Sequence, residues 1–195
     1  MKTNLTLVLD ASTPTLFLGL LSQKQVLGYH VESLDRQQSE WMVPKLIALL
    51  AQYHYQLQDI DAVIVGDGPG SFTGVRLALT LVKTLGLMKP LKVYPISTLA
   101  LVSVAPLSLP WIDARGGRRY VAVYQGEKVL LAPTILDTLG IEALKQQYPH
   151  GTWLEVQPTL MEAPTILTRL LSMRHPFKAM SDIQLLNPRY LKDIQ

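Results

Sequence analysis

Short apolar runs separated by turn residues form the beginning of the chain. In the segment VLDASTPTLFLGLLSQKQVLG, residues 8–28, an apolar run ends in Asp10, a turn follows, and two further apolar runs are separated by a polar turn. Runs of this length that are rich in β-branched and aromatic residues and bounded by Ser, Thr, Pro and Gly are typical of strands. The pattern therefore predicts three consecutive β-strands joined by short turns.

The same pattern returns 103 positions later in the segment WIDARGGRRYVAVYQGEKVLL, residues 111–131. Asp113 takes the place of Asp10, and Tyr120 takes the place of Phe17. After each three-strand unit, the spacing of apolar residues predicts a helix, a strand and a second helix. The chain is therefore expected to be an internal duplication of two α/β lobes with the order βββαβα.

The first lobe is predicted over residues 1–105 and the shorter second lobe over residues 106–195. After its three strands, each predicted lobe has a helix, a strand and a second helix. The first lobe has a helix at 39–53, a strand at 60–66 and a helix at 72–88, and their counterparts are 139–147, 153–156 and 164–174. Between the lobes, a strand is predicted at 93–96, a short helix at 98–104 and a crossover at 106–110.

A glycine-rich segment, GDGPGSFTGVR at residues 66–76, joins a predicted strand to a predicted helix. Gly68 and Gly70 can adopt positive φ, and Ser71 or Thr73 can cap the first free amides of the helix. Such amides, together with the helix dipole, favour a bound anion. The alternative is a well-capped turn that binds no ligand.

Composition narrows the class of protein. Of the 195 residues, 48% are apolar and 17% are charged, which excludes a disordered or fibrous chain. The mean hydropathy of +0.20 suggests that some apolar surface meets another protein. The opening MKTNLTLVLD is interrupted by a charge before a signal-peptide core is complete, so a cytoplasmic protein is expected. The net charge of +3 is too small to indicate nucleic-acid binding by itself.

Several catalytic classes lack their residues in this sequence. The chain has no cysteine, so disulfides and thiolate chemistry are excluded. Its histidines are His30, His54, His150 and His175, and no two have the spacing that would place a metal-ligand pair on one helical face. Because neither HEXXH nor GXSXG occurs, peptidase activity is not expected. No metal site and no cofactor of its own are expected.

Both helices predicted in the first lobe carry more apolar residues than the narrow stripe that a surface helix needs. We expect this excess to form a face that binds a partner protein, and a charge introduced at Leu79 is expected to disrupt that face while the lobe stays folded. The alternative is full burial of both helices within their own lobe. The residues predicted for the partner face are Trp41, Met42, Leu46, Leu49, Val75, Leu79 and Val82.

The two hairpins carry further candidate residues. Two interpretations apply to Asp10 and Asp113: each serves chemistry, or each only caps its own turn. In the second hairpin, Arg115, Arg118 and Arg119 flank two glycines and are candidates for contact with RNA phosphate or with an acidic patch on a partner. A solvated, charged hairpin is the alternative interpretation of this cluster.

Two tandem lobes that each open with an acidic hairpin resemble the actin, hexokinase and Hsp70 superfamily (ASKHA), whose lobes are ribonuclease H-like. The resemblance implies a nucleotide between the lobes, with its phosphates held by the hairpin turns and an Asp orienting metal or water. The corresponding phosphate-loop-like residues, whether functional or vestigial, are Asp10, Ser12, Thr13, Gly68, Gly70, Ser71, Thr73 and Asp113.

Within this superfamily the chain resembles the TsaB (YeaZ) family and its paralogue TsaD. The resemblance rests on LDAST at 9–13, GDGPGSFTGVR at 66–76, PIST at 95–98, WIDARGGRRYVAVY at 111–124 and NPRYLKD at 187–193. Two departures stand out. Many relatives have His-Ser-Glu where this chain has Gln38, Ser39 and Glu40, and the second lobe is shorter than is typical.

The resemblance implies a non-catalytic scaffold and activator in the biosynthesis of N6-threonylcarbamoyladenosine at position 37 of tRNA. It implies a TsaD-type partner, a TsaE-type ATPase, tRNA bound through the complex, and a homodimer when the TsaD-type partner is absent. ATP and Mg would be used by the complex rather than by this subunit. The alternative function is an ATP-dependent transferase or kinase of the actin-like superfamily, working from Asp10, Asp113 and the glycine-rich segment.

Overall fold

Two β-sheets with helices on their faces make up the protein, which is represented here by a computed structural model that describes residues 4–35, 37–157, 162–173 and 179–191. The elements of the first half are β1 Leu5–Asp10, β2 Thr15–Leu21, β3 Val26–Ser33, α1 Gln38–Gln52, β4 Ile60–Gly66, α2 Phe72–Met88, β5 Lys92–Ile96 and α3 Thr98–Leu101. Those of the second half are β6 Leu107–Arg115, β7 Arg118–Gln125, β8 Lys128–Leu136, α4 Thr138–Gln147, β9 Thr152–Glu155 and α5 Ala163–Ser172. Two single 3-10 turns lie at Leu57–Asp59 and Ile183–Leu185.

The first sheet has the strand order β3-β2-β1-β4-β5. Its first three strands form an antiparallel meander, and β4 and β5 add in parallel. In the β1–β2 hairpin Asp10 lies opposite Phe17, and on the other side of β1 Leu9 lies opposite Val65. α1 connects β3 to the parallel strand β4, and α2 connects β4 to the parallel strand β5. Because both connections run in the same direction along the sheet and such crossovers are right-handed, the two helices cover the same face.

The second sheet repeats this arrangement with the order β8-β7-β6-β9. The strands β6, β7 and β8 are antiparallel neighbours, and β9 adds in parallel to β6. Each sheet therefore begins with a three-strand meander whose first strand receives a parallel fourth. The duplicated βββαβα order predicted from the sequence is confirmed.

The apolar core is divided into three layers between helices and sheets. One face of the first sheet packs against α1 and α2, and one face of the second sheet packs against α4. The middle layer joins the two halves, since Val8 and Phe17 of the first sheet and Ala122 of the second enclose α3 and α5. The order of layers is helices, sheet, helices, sheet, helix.

The chain returns to the first lobe after the second sheet. α5 packs on β2 and β3, where Leu167 covers Gly19. Farther along, the Met180 amide donates to the Val93 carbonyl, and Leu186 is buried in the core of the first lobe. The predicted lobe boundary between residues 105 and 106 remains a prediction, and residues assigned to the second lobe contribute to the packing of the first.

The predicted element positions agree closely with those of the structure, with α2 at the same bounds, and with one exception. The crossover predicted over residues 106–110 is wrong, because β6 begins at Leu107. The register with β7 is interrupted at Leu109 and Pro110, since proline has no amide to donate, while Pro110 lies opposite Leu154 on the β9 side. Residue 174, the predicted end of the last helix, lies outside the described residues.

Candidate functional site

Asp10 ends β1 and is enclosed by the protein, with 1% of its surface exposed. One carboxylate oxygen accepts hydrogen bonds from the Ser12 amide (2.9 Å) and the Ser12 hydroxyl (2.7 Å). The other accepts from the Thr98 hydroxyl at the start of α3 (2.9 Å). Burial raises the pKa of Asp10, and the hydrogen bonds from Ser12 and Thr98 offset only part of that effect. The carboxylate is thus used within the fold.

The glycine-rich segment is packed against this hairpin. A Cβ on Gly66 would overlap the Asp10 carboxylate, one on Gly70 would overlap the Ser12 carbonyl, and one on Gly74 would overlap the Ala11 carbonyl. The Ser71 amide donates to the Ser12 carbonyl (2.6 Å), and the Ser71 hydroxyl caps α2 by accepting from the Gly74 amide (3.3 Å). These glycines therefore permit two segments of the chain to approach each other closely.

Asp67, in the same segment, is held by a residue far away in the sequence. Its carboxylate accepts two hydrogen bonds from the Arg189 guanidinium, at 3.0 Å and 2.9 Å, and the Arg189 amide donates to the Asp67 carbonyl (2.6 Å). The hydrogen bond to Asp67 raises the pKa of Arg189, so the guanidinium stays charged. Sequence reasoning missed this pair, although Arg189 lies in the NPRYLKD segment that it singled out.

A cleft of about 830 Å³ lies between the two lobes. Asp10 and Gly68 do not line it, because Asp10 is buried behind Ser12 and Gly68 faces a smaller cavity of about 140 Å³ beside Asp67 and Arg189. The predicted phosphate-loop residues that do line the cleft are Ser12, Thr13, Gly70, Ser71, Thr73 and Asp113. The structure therefore brings together most of this set around the N-terminus of α2.

The second hairpin differs from the first. Asp113 is exposed and accepts a hydrogen bond from the Arg115 amide (2.8 Å), so it caps its own turn. Arg115, Gly116 and Gly117 all have positive φ, which the two glycines adopt without strain. The three arginines divide between two sides, since Arg115 lines the cleft while Arg118 and Arg119 line a separate groove of about 410 Å³.

The predicted partner face is largely wrong. Six of its seven residues are buried in the core of the first lobe, beneath α1 and α2, and only Trp41 is exposed, at 44%. The physical reason is that α2 is covered on two sides, by the sheet and by Leu186 and Ile183 of the returning chain. The six core residues are Met42, Leu46, Leu49, Val75, Leu79 and Val82.

Other apolar residues of these two helices do face outward. We call this set the outer helix face and define it as Trp41, Val43, Ile47, Phe72, Leu87 and Met88. At one end, Ile47 and Met88 line an apolar groove of about 360 Å³ between α1 and α2. At the other end, Phe72 stacks on Tyr190 with ring centroids 5.8 Å apart.

The residues at the hairpins do not fit a metal–nucleotide centre built on Asp10. The oxygens of that carboxylate accept hydrogen bonds from protein donors, and its burial favours the neutral acid. Within the described ranges, no group of three or more His, Cys, Asp or Glu side chains lies close enough to hold a metal ion. In the same part of the chain, no helix is long and apolar enough to cross a membrane.

Two duplicated lobes with a common strand order, stacked around shared helices and separated by a cleft, define an actin-like α/β fold of the ASKHA class, with ribonuclease H-like lobes. A crystal structure from Pseudomonas aeruginosa, of a protein described as similar to peptidase YEAZ, has this fold. It superposes with a TM-score of 0.78 at 24% identity over 97% of this chain and 100% of that one. YeaZ from Pseudomonas aeruginosa gives 0.75 at 23% identity, over 96% and 100%.

The sequence comparisons identify the family. The family model described as TsaD: tRNA N6-adenosine threonylcarbamoyltransferase matches residues 20–157, and the chain belongs to this family. Its curated relatives include the tRNA threonylcarbamoyladenosine biosynthesis protein TsaB of Bacillus subtilis, 32% identical over 77% of this chain. Those 155 aligned residues are 64% of that relative's length. TsaB of Escherichia coli is 32% identical over 63% of this chain and 55% of its own length.

The chain thus spans between about half and two thirds of the TsaB proteins of Bacillus subtilis, Escherichia coli and Haemophilus influenzae. The resemblance to the TsaB (YeaZ) family that was inferred from the glycine-rich segment and the two hairpins is confirmed.

Proposed function

We propose that this chain acts in the biosynthesis of threonylcarbamoyladenosine in tRNA, as a non-catalytic subunit that binds and activates a TsaD-type transferase. The proposal is supported by membership of the TsaD family and by the TsaB relatives, whose names give this pathway. The proposal assigns to this chain the pathway that the names of those longer relatives give.

The observation that carries the non-catalytic role is the environment of Asp10. An acid that orients metal or water must be ionised and reach the cleft. Asp10 instead lies behind Ser12 and does not line the cleft, and both of its carboxylate oxygens accept hydrogen bonds from Ser12 and Thr98. We therefore assign Asp10 a structural role, and we expect no metal and no cofactor bound by this subunit alone.

Binding of the TsaD-type partner is assigned to the outer helix face. Exposed Trp, Phe and Met side chains on neighbouring helices are the residue types enriched at protein interfaces. We further propose that a second copy of this chain competes for the same face and forms a homodimer with it when the TsaD-type partner is absent. Docking activates the partner only if this chain binds the active conformation of the partner more tightly than the inactive one. In this scheme the complex, rather than this subunit, engages the TsaE-type ATPase and uses ATP and Mg.

The competing function is an ATP-dependent transferase or kinase. The observation in its favour is the cleft of about 830 Å³, which Ser12, Thr13, Ser71 and Thr73 line with hydroxyl groups. Calorimetric titration of the purified chain with ATP and magnesium separates the two functions. Tight binding accompanied by turnover would establish the enzyme, and the absence of a binding heat supports the scaffold.

The proposed pathway is tested by depleting the protein in its native cell and measuring tRNA nucleosides by mass spectrometry. Threonylcarbamoyladenosine should fall strongly, and expression of the intact gene should restore it. An unchanged level of this nucleoside after depletion would remove the pathway assignment.

The docking surface is tested with Ile47→Glu, which places a charge at a half-exposed position of the outer helix face. Co-purification with the TsaD-type partner should be lost, while the unfolding midpoint stays close to that of the unchanged chain. Leu139→Glu is the matched control, because it introduces the same charge at an exposed leucine of the second lobe. Equal retention of the partner by both variants would contradict the assigned face.

A further inference from the structure

A groove of about 410 Å³ opens beside the β6–β7 turn, on the face of the second sheet that α4 covers. Arg118 and Arg119 line it from β7, Trp111 from β6 and Lys145 from α4. The Arg119 guanidinium lies over the Trp111 ring, 4.1 Å from its centroid. At this distance the guanidinium is held flat against the indole, which orients its remaining donors.

A second indole–cation pair lies next to the first. The pairing of β6 with β9 puts Trp153 opposite Leu109, on the same face of the sheet as Trp111, and the Lys145 ammonium lies 5.6 Å from the Trp153 ring centroid. Two aromatic rings and their cations are thus neighbours on one surface. We call this surface the hairpin groove and define it as Trp111, Arg118, Arg119, Lys145 and Trp153.

The groove has an excess of positive charge, even though two acids line it. Glu142 forms an ion pair with Lys145 (2.8 Å), and Asp113 accepts from the Arg115 amide. Among the described residues that line the groove, three are cations, Arg118, Arg119 and Lys145, and two are these acids. The turn itself is accessible, since a Cβ on Gly116 or Gly117 would meet no other atom within 4 Å.

We propose that the hairpin groove binds a segment of tRNA, with Arg118 contacting a phosphate and the Arg119–Trp111 pair contacting a base or a phosphate. Interleaved arginine and aromatic side chains are typical of surfaces that hold unpaired nucleic acid, because the cations neutralise the backbone and the planar groups stack on bases. The inference rests on the proposed function, since that function makes tRNA the expected nucleic acid.

The test is fluorescence anisotropy of a labelled, unmodified tRNA transcript titrated with the full chain at salt concentrations from about 50 to about 200 mM. Arg118→Glu should weaken binding about tenfold or more and reduce the salt dependence by about one lost phosphate contact. Arg118→Lys, which keeps the charge, should bind nearly as the unchanged chain. Lys128→Glu is the matched control, because it makes the same charge change on the exposed β7–β8 turn at the other end of β7.

Three results would overturn the proposal. The first is no binding of the transcript by the unchanged chain at the lowest salt. The second is equal weakening by Arg118→Glu and Lys128→Glu, which would reflect net charge alone. The third is unchanged tRNA binding by Arg118→Glu together with loss of a partner subunit, which would assign the groove to an acidic protein surface. Nucleoside analysis after depletion tests the proposed function separately, so failure of one is not failure of the other.

Discussion

The two lobes use glycine for different physical purposes. In the first lobe, a Cβ added to Gly66, Gly70 or Gly74 would overlap another segment of the chain. In the second lobe, Gly116 and Gly117 have open space around them and serve the positive φ of a hairpin turn. A duplicated unit has thus become tightly packed at its first hairpin and open at its second.

The acids at the two hairpins differ in the same sense. Asp10 is buried and accepts hydrogen bonds from Ser12 in its own turn and from Thr98 at the start of α3. Asp113 is exposed and caps its own turn. The comparison teaches that the first hairpin serves the internal structure of the protein, while the second is free to meet another molecule. Four predictions test how tightly the first lobe is packed compared with the second.

The largest effect is expected for Leu79→Glu in α2. Leu79 is 3% exposed, so the charge would be buried without a partner and the free energy of unfolding should fall by more than about 5 kcal/mol. The burial of Leu79 argues against the expectation that the lobe would stay folded after this change. Leu139→Glu in α4, at a leucine that is 80% exposed, should change stability by less than about 0.5 kcal/mol. Urea unfolding followed by circular dichroism measures both, and similar losses would contradict the contrast.

Gly74→Ala is expected to be the next most severe change. Its methyl group would overlap the Ala11 carbonyl, a backbone atom that cannot move aside alone, so a loss of about 3 kcal/mol is expected. The methyl group of Gly117→Ala would meet no other atom, so the only expected loss is the strain of an alanine at the left-handed φ of +75°, about 1 kcal/mol. Thermal and urea unfolding of the two variants compare the lobes directly. A larger loss for Gly117→Ala would reverse the assignment of the packed hairpin.

Arg189→Ala should cost about 2 kcal/mol, because it leaves the largely buried Asp67 carboxylate without its guanidinium. Arg189→Lys should recover only part of this loss, since a single ammonium cannot make the two parallel hydrogen bonds. Arg115→Ala at the open turn should have little effect on unfolding. The pair would be judged unimportant if Arg189→Ala unfolded at the same urea concentration as the unchanged chain.

The smallest effect is expected for Asp10→Asn, and it depends on pH. Because burial raises the folded-state pKa of Asp10 above its ordinary value near 3.8, the folded protein favours the neutral acid. The stability that this group contributes is fully present below pH 3.8 and is lost as pH rises through the folded-state pKa. The side chain of the asparagine variant does not titrate, so the variant does not lose stability in this way. Between pH 3.8 and the folded-state pKa, its free energy of unfolding should therefore rise relative to that of the unchanged chain. Parallel stability–pH curves would contradict the prediction.

Much of the fold follows from local sequence signals. The turns after Asp10 and Asp113, the alternation of the strands and the Ser71 cap of α2 are all encoded within a few residues of where they act. Because the second lobe repeats the pattern of the first, the pairing of β6, β7 and β8 could be predicted by analogy with the first lobe. The glycine-rich segment was also correctly placed between a strand and a helix.

The inward and outward faces of α1 and α2 could not be assigned in this way. The side of α2 that appeared free is covered by Ile183 and Leu186, which lie about a hundred positions further along the chain. Likewise, Asp10 depends on Thr98 and Asp67 on Arg189, and neither partner carries a local signal of its target. Burial created by distant segments is therefore what sequence patterns leave undetermined.

The return of residues 179–191 to the first lobe has a consequence for synthesis of the protein. Leu186 completes the core beneath α2, and Arg189 neutralises Asp67 beside the glycine-rich segment. A ribosome that has translated only the first lobe has therefore produced an unfinished domain, whose α2 still exposes leucines to chaperones. The core of the first lobe is therefore completed only after residues 179–191 have been translated.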